Sequence, residues 1–134
     1  MRILLATDAS DGALAAAQYV GRVFSGADVT LVHVLRNPVE YFPDAAVAYN
    51  PELWRQEGGK WSESVFARTR EALGGSAAKE IFREGVPHQV ILEMSRGYDL
   101  VVVGKRRKPS LSRLVLGSVS QALAHNLQVP LLIV

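Results

Sequence analysis

Leu100-Val101-Val102-Val103-Gly104 is the stretch on which the fold turns. Four apolar residues follow one another without alternation, three of them β-branched, and a glycine closes the run. A strand of this kind is covered on both faces, the habit of parallel sheets flanked by helices. Downstream, a basic loop leads to a helix from Gly117 to Asn126, with Val119, Ala122 and Leu123 inward, and Pro130-Leu131-Leu132-Ile133-Val134 reads as a last strand. Upstream, Pro87 sits in the first turn of a helix that carries Val90, Ile91 and Met94 on one face and ends at Gly97. Before it, Ala77 to Glu84 has the mixed alternation of an edge strand.

Further out, residues 52–73 show helical spacing through Trp54, Trp61, Val65, Phe66 and Leu73, with Gly58-Gly59 expected to break the run into two pieces. Residues 36–51, with Pro38, Pro43 and Pro51, read as a long irregular excursion. Val29-Thr30-Leu31-Val32-His33-Val34-Leu35 is a buried strand rich in β-branched residues. A helix carrying Ala13, Leu14, Ala17, Tyr19 or Val20, Val23 and Phe24 precedes it, with Ser10 or Asp11 as N-cap and Gly26 as stop. The chain opens on Ile3-Leu4-Leu5-Ala6, another unbroken apolar run, closed by Thr7-Asp8-Ala9-Ser10. Strands alternating with helices make an open, parallel α/β sheet of five strands. Ligands of such sheets sit beyond the carboxyl ends of the strands, so the loops after Ala6, Val34 and Val103 are the ones to read for chemistry.

The 134 residues are 49% hydrophobic and 21% charged, which suits a single domain with a real core. The absence of cysteine removes disulfides, thiol catalysis and cysteine-ligated zinc. At the N-terminus an acid, Asp8, follows only a few apolar residues. No secretory leader or membrane span is therefore expected, and the expected compartment is the cytoplasm. The net charge of +2 conceals a separation: residues 1–99 carry all 13 acids against ten basic residues, whereas Lys105, Arg106, Arg107, Lys108 and Arg113 follow with no acid.

The basic cluster occupies the loop after the fourth strand. Gly104 permits close backbone approach, Gly117 opens a helix whose first amides point outward, Ser118 and Ser120 add hydroxyls, and the cations supply charge. Together they suit a phosphate. A solvated loop or a nucleic-acid surface are the other readings of the same run.

From end to end the chain resembles the universal stress protein family. The resemblance rests on Ala6-Thr7-Asp8-Ala9-Ser10, Leu31-Val32-His33-Val34, Arg83-Glu84-Gly85-Val86-Pro87, Asp99 to Gly104, Gly117-Ser118-Val119 and Val129 to Val134, in that order and at these separations. It implies an adenine nucleotide alpha hydrolase-like sheet ordered 3-2-1-4-5, homodimers joined through the last strand and, in one branch, ATP, with Mg²⁺, held by a loop of pattern G-x2-G-x9-G-[S/T]. The residues it assigns to the nucleotide are Ala6, Thr7, Asp8, Val34, Gly104, Arg107, Gly117, Ser118 and Val119. Arg107 stands where the pattern has its second glycine, either as a bidentate phosphate ligand or as a plug that places the protein in the branch without ATP. Val86 stands where relatives commonly carry a capping Asp or Asn, at a cost of about 1 kcal/mol.

The enzyme signatures that such a fold suggests are missing. The chain has no G-x4-G-K-[S/T], no G-x-G-x-x-G after the first strand, no phosphoacceptor Asp after the third strand and no nucleophile elbow. A binding module with at most slow hydrolysis is expected, with no membrane contact and nucleic acid as the lesser alternative. His33 reads as structural, and Trp54, Trp61 and Phe66 as core or dimer packing rather than a stacking platform.

Overall fold

The computed structural model describes residues 1–41, 49–106 and 116–134, except for the side chains of residues 40 and 41. The elements in chain order are β1 (Arg2–Ala6), α1 (Asp11–Val23), β2 (Asp28–Leu35), α2 (Pro38–Tyr41), α3 (Pro51–Ala72), β3 (Lys79–Glu84), α4 (Pro87–Ser95), β4 (Leu100–Val103), α5 (Ser118–Asn126) and β5 (Leu131–Ile133). The five strands form one sheet in the order β3-β2-β1-β4-β5, with every pair parallel. This is the order that the family resemblance implies.

Strand periodicity divides the core into two layers. Ile3 and Leu5 of the central strand point to the face packed by Ala16, Ala17, Val20 of α1 and Phe66 of α3, while Leu4 points to the face covered by Ile91 of α4 and Leu123 of α5. All three β1 side chains are fully buried. The chain thus winds outward from β1 to β3, returns to the other side of β1 for β4, and continues to β5. The carboxyl ends of β1 and β4 mark the point where the strand order reverses.

The expected break at Gly58-Gly59 does not occur, since α3 runs unbroken for 22 residues. Gly58 is buried against the Leu35 side chain at the end of β2, so that a Cβ there would collide with it. Its lack of a side chain serves the approach of helix to sheet, and it lies on the same helical stripe as Trp54 and Trp61, four residues after one and three before the other. Of the excursion expected over residues 36–51, residues 42–48 lie outside the described residues; in the remainder, Pro38–Tyr41 forms a short helix, and Asn50 caps α3 by accepting the Leu53 N–H at 3.1 Å.

Other boundaries shift by one or two residues. The third strand begins at Lys79, where its pairing with Thr30 begins, and it is an edge strand as its alternation suggests. Ser10 is the N-cap of α1. Val86 takes the cap position of α4 with no side-chain bond, as its apolar side chain requires.

Candidate functional site

A cavity of about 410 Å³ opens over the carboxyl ends of β1, β2 and β4, at the reversal of strand order. Its walls hold Ala6, Thr7, Asp8, Val34, Gly104, Gly117, Ser118 and Val119, eight of the nine residues singled out in the sequence. The ninth, Arg107, lies outside the described residues. Arg106, one position earlier, lines the cavity instead, with its side chain laid along Gly117 at a spacing that would leave 3.4 Å between a Cβ there and the Arg106 Cδ. The pattern of glycines pointed to position 107 and carried no signal for 106.

Asp8 follows β1 in a tight turn. Ala9, at φ 57°, is the single described non-glycine residue with positive φ, and it reverses the chain so that the Ser10 N–H donates to Asp8 Oδ1 at 2.9 Å. Burial pushes the Asp8 carboxyl upward, but bonds from the Ser10 hydroxyl and backbone and the charge of Arg106 outweigh it and hold the group below the usual carboxylate range. Asp8 is therefore an anion at neutral pH. It faces a cation, Arg106, and the first amides of α5 beyond Gly117, which together make the other side of the cavity attractive to negative charge.

Thr7 serves the fold. Its hydroxyl is buried, accepts the Ala9 N–H at 3.1 Å and lies 2.8 Å from the Thr69 hydroxyl of α3. Thr69 donates its own proton to the Val65 carbonyl at 2.7 Å, so Thr7 must donate to Thr69.

Gly104, just after β4, is also a packing residue. A Cβ on Gly104 would overlap the Gly12 carbonyl and the Ala13 nitrogen, and a Cβ on Gly12 would overlap the Lys105 carbonyl. The start of α1 and the exit of β4 touch through bare backbone.

His33 is buried in β2 and also lines the cavity. It is 2% exposed, its Nδ1 lies 2.6 Å from the Ser62 Oγ of α3, and burial lowers its pKa against the opposing pull of Asp8. The two tryptophans lie outside the core clusters. Phe66 is in the core, but Trp54 and Trp61 both line the cavity, and Trp61 is 54% exposed. The Trp61 ring stands edge-on to His33, with centroids 5.0 Å apart and planes at 90°. Trp54 keeps a buried indole N–H that has no partner among the described residues.

Among the described residues no group of three His, Asp or Glu is placed to hold a metal, and no helix is long and apolar enough to cross a membrane. Asp8 is the one carboxylate among the described residues that line the cavity.

Comparison with known proteins adds three findings. A sequence model of the universal stress protein family matches residues 1–134. A universal stress protein of Methanocaldococcus jannaschii is 31% identical over an alignment of 140 positions, which covers 99% of this chain and 81% of that protein. Among solved structures, a universal stress protein in complex with cAMP superposes with a TM-score of 0.62 at 24% identity, covering 100% of this chain and 95% of that one. A universal stress family protein of Arabidopsis thaliana with AMP bound superposes at 0.66 with 17% identity, covering 100% and 90%.

Proposed function

Because the chain belongs to the universal stress protein family, we propose that it is a cytoplasmic, adenine nucleotide-binding stress-response module, with ATP the expected ligand and at most slow hydrolysis. The observation that carries this reading is the gathering of eight candidate residues from four separate segments around one cavity at the sheet's reversal point. Two proteins of the same fold that hold AMP and cAMP lend it support.

The electrostatics suggest how a nucleotide would lie. An ionised carboxylate only accepts hydrogen bonds, so Asp8 suits the hydroxyls of a ribose or the amino group of a base and repels phosphate. Arg106, Ser118 and the amides at the start of α5 suit the phosphates. The nucleoside then lies over β1 and β2, beside Val34, and the phosphates over the β4–α5 side. Among the described residues that line the cavity none is placed as a nucleophile with an adjacent base, which favours binding over turnover.

Isothermal titration with ATP and Mg²⁺, and with AMP, should give saturable heat below about 0.3 mM. Asp8→Ala should weaken either ligand roughly tenfold or more, the usual effect of losing a charged hydrogen-bond partner. No heat from the wild-type protein at that concentration would overturn the reading.

The same proposal includes a homodimer joined through β5. That strand is an edge of the sheet, and its three apolar residues are only half-buried. Sedimentation at micromolar concentration should show the dimer; a monomer under those conditions would remove this part of the proposal.

A further inference from the structure

We infer that Trp61, with Trp54 behind it on the same helical stripe, is the wall against which the flat base of the bound nucleotide stacks. The inference rests on the nucleotide reading above and deepens it by assigning the base to an aromatic surface. The chain has only two tryptophans, and both line the cavity. They are seven residues apart on α3, two helical turns, and so share one face. Gly58 between them lets that face close on the end of β2.

Trp61 is held and yet uncovered. The ring of His33, itself tied to Ser62, braces Trp61 edge-on, which leaves half of the indole open to solvent at the cavity. A large aromatic residue on a helix that elsewhere faces the sheet with Ser62, Val65, Phe66 and Thr69 is poorly placed for solvent. An indole braced in this way is already ordered, and a purine laid on it gains contact without the entropy of fixing the side chain. Stacking of bases on aromatic side chains tolerates any base, so the wall selects planar heterocycles as a class and leaves choice among them to hydrogen bonding by groups such as Asp8.

The test separates base from phosphate. Wild type, Trp61→Ala and Trp61→Phe are titrated calorimetrically with AMP and with inorganic tripolyphosphate, and Trp54→Phe is followed by the emission of its remaining tryptophan. Trp61→Ala should weaken AMP roughly tenfold or more, the range seen when a stacking residue is removed. Trp61→Phe should stay within about threefold of wild type, because the aromatic face is kept. Tripolyphosphate should bind all three proteins alike, and AMP but not tripolyphosphate should quench the emission of Trp54→Phe. Circular dichroism of the two Trp61 variants reports whether they are folded, and the emission of Trp54→Phe tests the wall with Trp61 intact. Equal AMP affinity in wild type and Trp61→Ala, or unchanged emission on saturation with AMP, would overturn the wall and leave the nucleotide reading standing. A wild-type protein that binds no nucleotide would overturn both.

Discussion

Gly104→Ala is expected to destabilise the protein by about 3 kcal/mol, at the upper end of what an over-packed core position costs. For a domain of this length that is a fall of roughly 10 °C in melting temperature. The added methyl group would fall on the Gly12 carbonyl and the Ala13 nitrogen, both backbone atoms at the capped start of a helix, where no flexible side chain can move aside. Relief would need α1 to shift away from the end of β4, and α1 is anchored by the fully buried Ala16, Ala17 and Val20. Gly97→Ala is the control: the nearest atom to its Cβ is the Met94 carbonyl oxygen at 3.9 Å, so this variant should unfold within about 1 kcal/mol of wild type. Thermal melts followed by circular dichroism compare the two. If Gly104→Ala melts like Gly97→Ala, this glycine is not needed for packing and serves the loop alone.

Thr69→Val should cost about 2 kcal/mol, more than Thr69→Ser at about 1 kcal/mol. Valine keeps the shape but removes the acceptor of the Thr7 proton, and a buried donor is then left without a partner. Serine keeps the hydroxyl and its bond to Val65 and loses only a methyl group. The effect reaches the cavity, because the same Thr7 oxygen accepts from Ala9, whose left-handed backbone aims Asp8 and Ser10. Urea unfolding of both variants gives the order; serine as costly as valine would show that packing, and not the hydroxyl relay, is what Thr69 supplies.

The elements were legible to different degrees. β1, β2 and β4 could be read almost to the residue, because unbroken apolar runs are a local signal that burial on both faces imposes. The sheet order came with the family resemblance, since periodicity says which segments are strands but not which are neighbours. α3 was legible as a helix but not as a continuous one. Gly58 weakens a helix in isolation, and only the nearby Leu35 side chain shows why a glycine is tolerated there. The same contact explains the tryptophans: helical spacing marks Trp54 and Trp61 as one stripe, yet whether it meets core or cavity depends on where α3 crosses the end of β2.

By itself, then, the sequence determined an open parallel α/β sheet, its main strands and helices, and the loops in which a phosphate-binding pattern resides. Those properties follow from hydrophobic period, turn chemistry and the spacing of neighbouring residues, all of which act over short stretches of chain. Only the tertiary structure decided that Arg106 lies on the cavity, that Gly104 is needed by Gly12, that Thr7 donates to Thr69 62 residues away, and that both tryptophans face the ligand space. Each of these is a meeting between distant segments, set by how helices settle on the sheet, and no local pattern encodes such a meeting.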